Sequence, residues 1–149
     1  MELSLKSFIR KTKSKSHDIL FKGKFSQNIS KKNTVSKLLE ILDKKKLLND
    51  TKLQIKINKR IPIKAGLGGG SMNAANILRY FVKKKIVKIT KKEVISISKL
   101  IGSDVILGLN STNSILTSKN KIKRFTNYKK IYTLIVKPNF GCSTKDMFS

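Results

Sequence analysis

Four glycines in five residues, Gly66 and Gly68 to Gly70, stand between a strand-like segment and a helix-like one, and this run constrains the fold more than any other feature. Three consecutive glycines carry a large backbone entropy cost, so the folded chain must use conformations or close approaches that other residues refuse. Upstream, Leu53-Gln54-Ile55-Lys56-Ile57-Asn58 alternates apolar and polar side chains, which predicts a half-buried strand. Ile61-Pro62 closes it, because proline cannot donate to a ladder. Downstream, a helix starting near Ser71 places Ala74, Ala75, Ile77, Leu78 and Phe81 on one face. Strand, glycine turn and helix in this order bring unpaired N–H groups and the positive end of a helix dipole to one point. Such a point suits an anion such as phosphate, held by main-chain donors, with the Ser71 hydroxyl able to bind phosphate or a magnesium ion. A glycine turn that enters a helix without any ligand is the other reading. There is no Gly-Lys-Ser/Thr for a Walker loop, and no Gly-x-Gly-x-x-Gly with an acidic residue about 20 positions on.

The remaining elements follow from periodicity. Ile19-Leu20-Phe21 reads as a short strand ending at Lys22-Gly23. Asn33 or Thr34 caps a helix carrying Val35, Leu38, Leu39 and Leu42, which ends in Lys44-Lys45-Lys46. Thr90-Lys91-Lys92-Glu93 is a capping box for a helix that turns Val94, Ile97 and Ile101 inward and stops at Gly102, read as a left-handed end residue. Strands are predicted at 104–109, 114–116 and 132–136, with turns at 110–113 and 120–121. Residues 1–17 read as a basic, irregular lead-in, with His17 on the surface, and residues 18–149 as one domain. Strand and helix do not alternate regularly enough for a doubly wound sheet. The expected class is α+β, a mixed sheet with helices on one face.

The 149 residues carry a formal charge of +26, which invites a nucleic-acid reading. Only Arg10, Arg60, Arg79 and Arg124 among the 34 basic residues are arginine, and Trp is absent. The lysines spread from Lys6 to Lys145 amid many Ile and Asn, as an A/T-rich coding sequence produces. Dedicated nucleic-acid surfaces cluster arginine forks and stacking aromatics. Nucleic acid is therefore expected to bind only non-specifically, with a basic nucleic-acid-binding protein as the alternative. One cysteine, Cys142, excludes an internal disulfide framework. No apolar run reaches about 18 residues and none has signal-peptide form, so the expected location is the cytoplasm, away from membranes.

The segment Ile61-Pro62-x-x-Ala65-Gly66-Leu67-Gly68-Gly69-Gly70-Ser71-x-Asn73-Ala74-Ala75 closely resembles the ATP loop of the GHMP kinases, and its triple glycine resembles the branch that serves non-mevalonate isoprenoid synthesis. Leu100-Ile101-Gly102-Ser103-Asp104-Val105 is similar to that family's Leu-Gly-Ala-Asp-Val-Pro segment. Asn33-Thr34-Val35 resembles its Asn-Leu-Val helix, and Lys137-Pro138 through Lys145 resembles the start of its later substrate-side region. The resemblance implies a partial GHMP kinase ATP-binding domain over residues 18–149. It implies ATP and magnesium as cofactors and Asp104 as catalytic base. For the nucleotide it implies Pro62, Ile63, Lys64, Ala65, Gly66, Leu67, Gly68, Gly69, Gly70, Ser71 and Met72, with no dedicated protein metal site. The implied reaction is phosphorylation of a small-molecule alcohol, 4-diphosphocytidyl-2-C-methyl-D-erythritol, at its 2-hydroxyl. Met72 replaces a second serine of the family pattern, and Ile106 replaces a proline. The family's Ala-Lys-Ile-Asn-Leu-like strand, with its assisting lysine, its Asp-Gly-Tyr-His segment and its second glycine-rich loop have no match in these residues. Turnover by this chain is accordingly expected to be impaired, or to need a complementing fragment.

Overall fold

The computed structural model describes residues 7–110, 112–117 and 121–125, together with Tyr132 and Leu134. Three strands, β1 (Ser7–Thr12), β2 (Asp18–Lys22) and β3 (Lys52–Asn58), make one mixed sheet with β3 in the centre. β1 runs antiparallel to β3, with Ile9 opposite Ile55, and β2 runs parallel to it, with Phe21 opposite Ile57. The alternation in β3 has the expected result: Leu53, Ile55 and Ile57 are buried and the residues between them are not.

Three helices, α1 (Thr34–Lys44), α2 (Gly69–Lys83) and α3 (Lys91–Ile101), cover the apolar sheet face. Asn33 caps α1 by accepting from the N–H groups of Val35 and Ser36, while Ser36 returns a bond to complete the box. Thr90 and Glu93 do the same for α3. Val35, Leu38, Leu39 and Leu42 of α1 meet Ala74, Ala75, Ile77, Leu78 and Phe81 of α2 in one core, with Ile97 and Ile101 from α3. A 3-10 helix, Ser103–Leu109, follows α3 directly, and a hairpin of β4 (Asn113–Leu116) and β5 (Ile122–Phe125) is the last described element. The arrangement is α+β, as expected. Among the described residues no helix is long and apolar enough to cross a membrane.

Four local expectations require correction. The lead-in is not irregular throughout, because Ser7–Thr12 pairs along β3 as β1. His17 is not a surface histidine: its side chain is 13 % exposed, its Nδ1 accepts from the Leu53 N–H at 3.0 Å, and its Nε2 lies 3.1 Å from Asp43 Oδ2. Residues 104–109 form a 3-10 helix rather than a strand, packed on α2 where Gly108 meets Ala75 and Met72. Gly102 is extended, with φ 174°, a conformation open to any residue. The expected strand at 132–136, apart from the exposed Tyr132 and Leu134, the segment from Lys137 to Lys145 and Cys142 lie outside the described residues.

Candidate active site

The glycine run leaves β3, passes Pro62 and enters α2 with Gly68 as the cap residue. Gly66 and Gly68 have φ of +68° and +60°, left-handed conformations that favour glycine. Gly69 is tightly placed for a different reason. A Cβ there would lie 3.1 Å from Lys59 Nζ and 3.2 Å from Ile61 Cγ2, so the helix start presses against β3's continuation. The Thr34 hydroxyl donates to the Gly70 carbonyl at 2.8 Å, tying the first turn of α2 to the first residue of α1. No side chain caps α2. Its leading N–H groups thus remain available at the end of the loop, whereas α1 and α3 are closed by capping boxes.

A cavity of about 680 Å³ opens at this point, lined continuously by Pro62 to Ser71 and also by Asn33, Thr34, Lys59, Asn73 and Asp104. Every predicted nucleotide-loop residue except Met72 therefore borders one space. Met72 turns away, its sulfur lying 2.9 Å from the position a Cβ on Gly108 would take. Asp104 is exposed in the first turn of the 3-10 helix, with Oδ2 4.0 Å from the Cβ position of Gly68. Its Oδ1 accepts from the Ser103 hydroxyl at 3.1 Å. The carboxylate is thus brought to the glycine loop from 36 residues away. A groove of about 830 Å³ between α2, α3 and β5 is larger, but no carboxylate lines it and it lies apart from the loop.

Sequence reading missed Lys59, which is 6 % exposed and borders the cavity beneath the loop. The signal was present, since Leu53, Ile55 and Ile57 define β3's inward positions and Lys59 falls on the next one. Burial pushes its pKa below the usual lysine range. The arrangement brings main-chain donors, a cation and a carboxylate to the border of one cavity. It can hold an anionic group and accept a proton close to it.

Comparison with known proteins shows the chain's family. The GHMP kinases N terminal domain matches residues 33–116. A 4-diphosphocytidyl-2-C-methyl-D-erythritol kinase of Pelagibacter ubique (strain HTCC1062) is 56 % identical over 141 residues, covering 95 % of this chain and 50 % of that protein. One from Petrotoga mobilis (strain DSM 10674 / SJ95) is 34 % identical, covering 87 % of this chain and 50 % of its own length. The chain spans about half the length of these curated relatives. Among solved structures, a crystal structure of 4-(cytidine 5'-diphospho)-2C-methyl-D-erythritol kinase matches with a TM-score of 0.59 at 20 % identity. It covers 80 % of this chain and 41 % of that one, a likeness of fold.

Proposed function

The chain belongs to the GHMP kinase family, and from that premise we propose that it binds ATP at the Gly66–Ser71 loop for phosphoryl transfer to the 2-hydroxyl of 4-diphosphocytidyl-2-C-methyl-D-erythritol. The observation that carries the reading is the single cavity onto which the open end of α2 and the Asp104 carboxylate both face. Phosphoryl transfer asks little covalent chemistry of a protein and much positioning of charge. The loop's N–H groups hold the phosphates, and the dipole of α2 favours their negative charge. Asp104 receives the proton of the acceptor hydroxyl as that oxygen attacks phosphorus. The substrate follows from the names of the relatives, which are kinases of that compound.

Magnesium fits the site as an ion carried in by the nucleotide. Among the described residues no three His, Cys, Asp or Glu side chains cluster into a metal site, and Asp104 is the one carboxylate lining the cavity. Magnesium keeps most of its shell as phosphate oxygens and water, so the Ser71 hydroxyl would be the chain's contribution to it and Asp104 would stay free to take the acceptor's proton. When bound it neutralises phosphate charge.

Calorimetric titration of the chain and of Gly69→Val with magnesium ATP tests the reading. A valine side chain at Gly69 would drive the loop off Lys59 and Ile61, so binding should fall by about tenfold or more. Equal affinity in a folded Gly69→Val protein would remove the loop from the nucleotide site.

A further inference from the structure

Among the described residues Lys59 is the one cation that is buried. Its backbone extends the sheet, donating to the Lys22 carbonyl at 2.6 Å and accepting from the Phe25 N–H at 3.4 Å. Its ammonium has no such support, for among the described residues no hydrogen bond or ion pair reaches Nζ. The described ion pair is Lys52–Asp43, with His17 hydrogen-bonded to the same carboxylate, and neither involves Lys59. A buried, unpaired ammonium is expensive, and chains retain one where something outside the fold completes it. Nζ sits against the first residue of α2, beside the uncapped helix start. Asn73, 8 % exposed in the second turn of α2, also lines the cavity with no hydrogen bond from its side chain among the described residues. Two buried polar side chains thus border the same space without protein partners.

We propose that Lys59 is a resident binding cation for the polyphosphate group of the nucleotide, contacting it from beneath the glycine loop as the main-chain donors contact it from the helix end. The inference rests on the nucleotide reading and adds to it a side-chain charge that the loop sequence lacks. The other charged groups lining the cavity are Lys64 and Asp104. Lys64 is exposed on the loop, and Asp104 approaches Gly68 from the 3-10 helix. An entering anion restores the protonated form of Lys59, so binding should draw a proton from solvent in the pH range where the buried amine is partly neutral.

The test compares native chain and Lys59→Met with magnesium ATP, inorganic tripolyphosphate and adenosine by calorimetry in two buffers of different ionisation heat. The expected result is a loss of about 10- to 100-fold for ATP and tripolyphosphate, the usual range for one charged hydrogen bond. Adenosine affinity should stay within about twofold, and proton uptake should vanish in the variant. Lys59→Met binding tripolyphosphate as tightly as the native chain would overturn the proposal while leaving the loop reading intact. Absence of ATP and tripolyphosphate binding by the native chain would remove both. Should Lys59→Met fail to fold, acylation of the native chain decides. Tripolyphosphate should slow modification of Lys59, read by mass spectrometry, by about tenfold, and an unchanged rate would overturn the proposal.

Discussion

Asp43 and Lys59 are charges held in opposite ways. Burial alone would raise the Asp43 pKa, but the hydrogen bond from Lys52 at 2.6 Å, the hydrogen bond with His17 and the Lys52 charge outweigh it, leaving the carboxyl below its usual value. A depressed carboxyl contributes stability above its unfolded pKa and loses it as pH falls through the folded one. Asp43→Asn should therefore cost about 1 kcal/mol at neutral pH, with the difference shrinking as pH is taken below the usual aspartate range, as urea titrations at neutral and acid pH would register. Lys59 runs the other way. Its pKa is lowered by burial, so between the folded and the usual lysine values the unfolded chain binds more protons and stability rises with pH. Lys59→Met should abolish that rise and lift the ligand-free Tm by about 2–4 °C. A fall in Tm would mark the lysine as structural. For Asp104 the expected effect is on chemistry. Asp104→Asn should leave ATP affinity within about threefold while single-turnover transfer of labelled phosphate falls by about 10²- to 10⁴-fold. Loss of ATP binding instead would recast the residue as part of the nucleotide contact.

At the scale of elements, the junction between α2 and the 3-10 helix positions the carboxylate. A Cβ on Gly108 would lie 2.7 Å from the Ala75 Cβ and 2.9 Å from the Met72 sulfur. Gly108→Ala must push the two elements apart, at about 1–3 kcal/mol, and a denaturation midpoint equal to the native one would show the packing to be looser than described. The same junction marks where sequence reading stopped. α1, α3 and β3 were legible because their signals are local: capping side chains within three residues, and periodicity within one segment. Val105-Ile106-Leu107 is a short apolar run, which periodicity alone cannot divide between strand and helix, and here contact with α2 decides for helix. β1 was missed because Phe8, Ile9 and Arg10 gain strand form from pairing with β3, some 45 residues away. The hairpin strand β5, Ile122–Phe125, has two basic residues in four and little apolar signal. The glycine loop was fully legible as a loop, while the reason for Gly69, its contact with Lys59 and Ile61, was not. Lys59 itself was hidden by its type, since a lysine at the end of a strand ordinarily turns to solvent.

The whole molecule carries a formal charge of +26, and among the described residues its cations form two populations, many solvated lysines and one buried at the cavity. They should answer differently to salt. Exposed lysines attract any polyanion through counterion release, so log K for duplex DNA should fall by about 0.9 per phosphate contact for each unit of log salt. At ~0.3 M salt the Debye length is well below 10 Å, and scattered surface charges no longer act together. A buried cation and main-chain donors are screened much less. Labelled RNA, DNA and heparin should therefore bind with similar weak affinity in dilute buffer and lose more than about tenfold by ~0.3 M salt, with no preference near the 10³ of a dedicated binder. Magnesium ATP measured in parallel should change by less than about threefold over the same range, because the proposed site takes its phosphates inside the cavity, at the loop and Lys59. Nanomolar binding of one oligonucleotide that survives the higher salt, alongside a steep salt loss for ATP, would assign the basic surface a selected role and reduce the cavity to an inherited feature.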